Sequence, residues 1–186
     1  VPSYASVDEL ATALGREPVT GFTDAERERA ELLLNLATGE IDRELGQHLA
    51  LTTETFTLDG PGGVRLLLPR WPVTEVTAVT VLDQDDAATD LSYPADYRWS
   101  TAGIMTLRRG CWPRWEQSII ITLSAGYDPI PDGARAPCLR MAVSAWDNFS
   151  GKVSERLGDW QAAWKVAGIA LTTQEINAIS TYRART

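Results

Sequence analysis

The chain of 186 residues holds a single histidine and two cysteines, and each scarcity closes a line of chemistry. His48, in "GQHLA", has no serine or cysteine motif such as GxSxG for company, so it reads as a helix-end or surface residue and not as a catalytic base. Cys111 and Cys138 lack CxxC spacing and histidine neighbours, so nothing supports a metal knuckle, a disulfide is open but equally unsupported, and both thiols are given a structural reading as buried free cysteines. Long apolar runs are missing too. "SIIITL" falls far short of the roughly 20 residues that cross a bilayer, and no segment resembles a signal peptide, so the expectation is a soluble protein made in the cytosol. A phosphate loop is also absent, because "GPGG" at 60–63 joins two strands and lacks the following lysine and helix. The acidic cluster Asp83, Asp85, Asp86 and Asp90 is the best candidate for a hard cation. Counted from Asp83, however, the positions of the turn glycine and bidentate glutamate of a calcium loop hold Ala88 and Pro94, so a solvated hairpin tip is the better reading.

Bases are scarce relative to acids. The 17 lysines and arginines stand against 25 carboxylates, and a net charge of -8 argues against a protein that grips phosphates for its affinity. Residues 1–50 carry ten acids and four bases, a balance of -6, whereas the last 36 residues carry five bases and three acids, a balance of +2. The two ends are therefore suited to different surroundings.

Three short boxes mark helix starts: "SVDE" at Ser6–Glu9, "TDAE" at Thr23–Glu26 and "TTQE" at Thr172–Glu175. In each a hydroxyl caps free amides and a glutamate three residues on reaches back. The second opens an amphipathic helix of about six turns, with Ala30, Leu33, Leu34, Ala37, Ile41 and Leu45 on one stripe and Gly46 as its stop. From Leu51 to Tyr127 the period changes to two, in "ETFTL", "VRLLLP", "VTEVTAVTVL", "DYRWS", "IMTLRR" and "SIIITLSAGY", which predicts one antiparallel sheet of five or six short strands. "PIPDGARAPCLRMAVSAWDNF" returns to helix, with Cys138, Met141, Ala142, Ala145 and Phe149 on a face that Leu139, Val143 and Trp146 widen. The expected class is α+β: a helical bundle framework of N-terminal, central and C-terminal helices around an inserted antiparallel β region at about 51–127. The expected division is 1–150 as one domain and 151–186 as a C-terminal arm.

That arm opens with "GKVSERLGDWQAAWKV", where Trp160 and Trp164 share a face in a strand and also in a helix. With only alanine and valine as apolar company, the segment needs another surface to lie against. Trp71, Trp99, Trp112 and Trp115 fall in or beside the strands and could stack on sugars or bases, the basis of an alternative reading as a carbohydrate-binding or other recognition module. Core and subunit contacts are favoured, since tryptophan is enriched at interfaces and the charge opposes nucleic acid. Asp128 and Asp132 flank "PIP" as a carboxylate pair, but nothing fixes their geometry, and a helix cap at Asp132 is simpler.

A long helix ending "EIDRELGQ", then "LPRWPVTEVTAVTV", then "YDPIP" leading into a central helix, followed by "SERLGDWQAAW" and "LTTQEINAISTYR", is a succession that resembles the head-to-tail adaptor proteins of long-tailed bacteriophages, also called head-tail connector or head completion proteins. The resemblance implies a virion protein and not an enzyme. It implies a homo-oligomeric ring, commonly of twelve copies, assembled in the host cytoplasm and placed at the head-tail junction. There it would bridge the portal protein to a stopper or tail-completion protein, and DNA would pass through without specific binding. No cofactor and no membrane enter this role. The resemblance places assembly contacts at the C-terminal end, so Trp160, Trp164, Ile176, Ile179, Tyr182 and Arg183 are the expected portal or partner contacts. Asp83, Asp85, Asp86 and Asp90 are the expected channel-lining acids.

Overall fold

The boundaries of the helices follow from their caps. In the computed structural model, which describes residues 2–147 and 168–184 and the backbone alone of 154–157 and 160–163, all three predicted boxes close reciprocally. They open α1 (Val7–Ala13), α2 (Asp24–Leu45) and the last α-helix (Thr173–Ile179). Ser6, Thr23 and Thr172 each accept the glutamate amide, and each glutamate takes back the cap amide, so two orphan donors are satisfied per helix. Gly46 ends α2 in the left-handed conformation (φ 68°), where its amide returns to the Asp42 carbonyl. Between them lies α3 (Asp132–Asp147), and the last helix, α4, runs into a 3-10 turn at Ser180–Tyr182.

The chain forms two units. The first joins Val1–Gly46 to Pro129–Arg183. In it α1, α2 and α3 pack on one another and α4 packs on α3. The predicted stripe of α2 is buried throughout, as are Cys138, Met141, Ala142, Ala145 and Trp146 of α3. Phe149 lies outside the described residues.

The second unit, Gln47–Asp128, is all β. Its strands are β1 (Thr52–Leu58), β2 (Arg65–Leu67), β3 (Val73–Leu82), β4 (Ala88–Asp90), β5 (Tyr97–Ser100), β6 (Ile104–Leu107) and β7 (Ile119–Ala125). Here the sequence expectation needs correction. There are two antiparallel sheets, one of four strands in the order β1-β7-β3-β4 and one of three in the order β2-β6-β5. The additional strand, β4, is the end of "DQDDAATD", whose acids are read above as a solvated hairpin tip. The inward residues of both sheets, among them Leu66, Val79, Tyr97, Met105, Ile121 and Leu123, form one core cluster with Trp112 of the β6–β7 connection. β7 alternates cleanly between buried and half-buried positions, but β3 does not. Its valines at 73, 76, 79 and 81 reach the core because two register shifts against β7 each insert an extra residue. Thr74 and Thr77, in those shifts, donate their hydroxyls to the Ser124 and Thr122 carbonyls (3.1 Å each), covering acceptors where the ladder is interrupted.

In the closing segment two further strands, β8 (Ser154–Leu157) and β9 (Trp160–Ala163), pair antiparallel with Leu157 opposite Trp160. The backbone around Trp160 is thus a strand. Trp164 lies outside the described residues.

Candidate functional site

The closing helix is the first place to look for an assembly site, and its fixings are specific. Glu175 serves two purposes: it completes the α4 cap, and it receives the Arg140 guanidinium at 2.6 and 2.9 Å. Arg140 also donates to the Ala170 carbonyl at 2.8 Å, so one arginine of α3 holds both the approach to α4 and its first turn. Burial pushes the Glu175 carboxyl up, but the Arg140 guanidinium and the amide and hydroxyl of Thr172 overcome this and hold it below its ordinary value. Ile179 is wholly buried and Ile176 half-buried. Tyr182 is half-buried, close to where a side chain at Gly133 would begin, and Arg183 pairs with Glu44 of α2. Ile179 therefore contributes to the core of its own unit, while Tyr182 and Arg183 keep exposed surface. Trp160 stands in β9 by its backbone.

At the other end of α3, Trp146 stacks on Phe22 with ring centroids 5.0 Å apart. The guanidiniums of Arg16 and Arg29 lie 5.4 and 4.9 Å from its ring. Arg16 also binds Glu26 at 2.7 Å. That bond, followed by the Thr23 amide and hydroxyl, lowers the Glu26 carboxyl to about 2. These contacts bind the segment between α1 and α2 to the end of α3.

The predicted acidic cluster is the tip of the β3–β4 hairpin and is exposed along its length. Its members have different tasks. One Asp83 oxygen accepts the amides of Asp85 and Ala87, each at 2.9 Å, and Asp90 accepts the Thr80 hydroxyl at 2.6 Å. Asp86 takes a left-handed conformation (φ 60°). Only the carboxylates of Asp85 and Asp86 carry no bond among the described residues. Among those residues no group of three His, Cys, Asp or Glu side chains is placed to hold a metal ion, and no helix is long and apolar enough to cross a membrane.

The cysteine expectation is half corrected. Both thiols are free; Cys138 is buried against Thr38, and burial raises its pKa, but Cys111 is exposed. It borders a cleft of about 540 Å³ whose wall includes Leu91, Asp96, Leu107, Arg109 and Trp112. A "GCWP" segment gives no periodicity from which that exposure could be read. Of the strand-region tryptophans, Trp112 belongs to the core, and Trp71, Trp99 and Trp115 are half-buried. Asp132 stands in the first turn of α3, paired with Arg135 at 2.7 Å.

One residue escaped the sequence reading altogether. Arg70 of "LPRWPV" is 4% exposed, and its guanidinium donates to the carbonyls of His48 (2.7 Å) and Ala50 (2.9 Å), to Glu54 (2.6 Å) and to the Thr52 hydroxyl. It fastens residues 48–54, and with them the start of β1, to the β unit. Nearby the Gln47 side chain accepts the Trp71 amide at 3.1 Å. A buried arginine amid prolines leaves no periodic trace.

A helical unit made from both ends of the sequence, with an antiparallel β unit of two sheets inserted, defines the class as α+β. Neither the known sequence families nor the curated proteins contain a match to the chain. Among solved structures the chain is similar to one in the neck of an empty gene transfer agent (GTA) particle computed with C6 symmetry, at TM-score 0.65 and 20% identity over 98% of this chain and 91% of that one. It is also similar to one in the virion of the native gene transfer agent particle, at TM-score 0.65 and 17% identity over 98% and 91%. A third, in the neck of the native particle computed with C12 symmetry, gives TM-score 0.57 and 17% identity over 100% and 95%. At these identities the likeness is one of fold, and it extends over nearly the whole of each chain.

Proposed function

We propose that this protein is a structural neck component of a phage-like virion, an adaptor whose copies form a ring between the capsid portal and the next connector or tail protein. The observation that carries the reading is the end-to-end likeness to chains of a gene transfer agent neck, in particles computed with six- and twelve-fold symmetry. A ring of twelve copies fits those symmetries. The role is non-catalytic: Asp83 accepts turn amides, Asp90 accepts the Thr80 hydroxyl and Asp132 pairs with Arg135, while Asp85 and Asp86 stand at an exposed hairpin tip. The portal and a stopper or tail-completion protein are the proposed partners. The junction of head and tail is the proposed place, reached after assembly in the host cytoplasm.

Residues 151–186 are the proposed portal-docking arm, with Trp160 and Trp164 as anchors and with Ile176, Tyr182 and Arg183 on the closing helix and its end, while Ile179 holds that helix to its own unit. Asp83, Asp85, Asp86 and Asp90 are proposed to face the channel, where carboxylates repel phosphates and let DNA slide. Native mass measurement of the purified protein, alone and with portal, tests the reading. A ring, or a stoichiometric portal complex, is expected. A protein that stays monomeric in both conditions would reject it.

A further inference from the structure

Two of the surfaces that carry exposed large apolar side chains complement each other. Leu32 and Leu36, 52% and 43% exposed, lie one turn apart on α2, opposite the stripe buried in the helical unit. Gly39 continues their line, and a Cβ placed there would meet nothing within 4 Å. An open glycine in the interior of a 22-residue helix is a standing cost to that helix. Close approach by another surface is one use that accounts for it. Beside the leucines, Glu28 and Glu31 are exposed and make no ion pair among the described residues.

The second group is on the outer face of the three-stranded sheet. Leu67 is 51% exposed, and Ile104 is its register partner on β6. Arg65 and Arg98 both pair in register with Thr106, from opposite sides, so the two arginines project from one row two strand spacings apart, roughly 10 Å. Neither makes an ion pair among the described residues. A shallow depression of about 270 Å³ runs over this face, lined by Arg65, Arg98, Trp99, Ser100, Ile104 and Thr106, with no acid among them.

We infer that these two faces meet between neighbouring copies: α2 of one copy lies on the arginine-flanked sheet of the next. Leu32 and Leu36 cover Leu67 and Ile104, and Glu28 and Glu31 face Arg65 and Arg98. The inference rests on the ring reading above. A cyclic ring is built from heterologous contacts, so each subunit must carry two different faces that fit each other. Here one face is acidic around leucine and the other basic around leucine and isoleucine. Two carboxylates one helical turn apart meet two guanidiniums on one strand row, and both apolar centres lose water. Arginines could equally receive phosphates, but the exposed Leu67 two residues along β2 from Arg65, in the row next to theirs, favours a protein surface, and DNA is left as an outcome of the test.

The test compares wild type, Arg65→Glu with Arg98→Glu, Glu28→Arg with Glu31→Arg, and all four changes together, by native mass measurement with and without portal, with circular dichroism to verify the fold. Each reversal should raise the concentration needed for ring formation at least tenfold, and the combined variant should recover it. As an independent readout, chains with Leu36→Cys and chains with Leu67→Cys, both carrying Cys111→Ser, should give a cross-linked dimer on oxidation when mixed. A ring indifferent to both reversals, or rings without that cross-link, overturns the interface and leaves the function standing. A wild type that stays monomeric both alone and with portal overturns the function and the interface with it. Loss of DNA binding in Arg65→Glu with Arg98→Glu while rings persist assigns the face to nucleic acid and overturns the inference.

Discussion

Replacing Arg70 by methionine removes the most heavily used buried charge described here while keeping most of its volume. Four acceptors lose a bond from Arg70: the His48 and Ala50 carbonyls, the Thr52 hydroxyl and one oxygen of Glu54, which keeps the Thr52 hydroxyl as a donor at 2.6 Å. Ala50 is 3% exposed, so its carbonyl has little access to water in exchange. Breaking one side of a buried charge pair costs about 3–5 kcal/mol. Glu54 is a third exposed and can rehydrate, which places the expectation near the lower end, about 3 kcal/mol. For a chain of this length that corresponds to a fall in melting temperature of about 6–12 °C. Calorimetry gives the shift, and hydrogen exchange should show the loss first at Thr52–Leu58, the strand next to the fastening. Arg70→Lys keeps the charge without the planar fork and should lie between the two. Adding Glu54→Gln to Arg70→Met should recover part of the loss, because the stranded carboxylate is then neutral. A cost below about 1 kcal/mol for Arg70→Met, with β1 exchange unchanged, would refute the account of Arg70 as the fastening of this strand.

Glu175 is expected to make the helical unit acid-sensitive. Its folded carboxyl sits below its ordinary value of 4.5, so as pH falls from there the unfolded chain takes up the proton first and stability is lost. Urea titrations across that range should show a shallower acid-side slope for Glu175→Gln than for wild type. Gly39→Ala should raise the stability of the isolated chain by about 0.5–1 kcal/mol, read as a shifted urea midpoint, because the added methyl meets no neighbour and the helix gains propensity. Replacing Trp160 and Trp164 by alanine should weaken portal binding about a hundredfold or more while α3 stays folded; unchanged affinity would remove their anchor role, and loss of the whole fold would assign both rings to the protein's own core.

What could be read from the sequence was the local part of the structure. The capping boxes at Ser6, Thr23 and Thr172 involve partners three residues apart, and all three were legible. The buried stripe of α2 was also legible, because helical spacing alone selects it. Sheet partners were not. β1 pairs with β7 across more than sixty residues and β2 with β6 across about forty, and alternation specifies a face but not a neighbour. The valines of "VTEVTAVTV" at spacing three were read as part of a period-two strand, although the same spacing is the mark of the two bulges that carry them inward. On α2, the run "ELLLNL" hid two exposed leucines among buried ones, since a run of leucines shows no polar face. Arg65 and Arg98 lie 33 residues apart and become neighbours only through Thr106.

The division of the helical unit between the two ends of the chain imposes an order on its folding. During synthesis residues 47–128 emerge as a continuous block that already holds every strand of both sheets and every residue of their shared core cluster. The stripe of α2, from Ala30 to Leu45, is made earlier but must wait for α3, more than eighty residues on, before its principal covering surface exists. A nascent chain halted near Asp128 would therefore carry a finished β unit and a helix with its leucines uncovered, a species prone to stick to its neighbours. Chaperone demand should peak in that interval and fall once the residues around Met141 leave the ribosome.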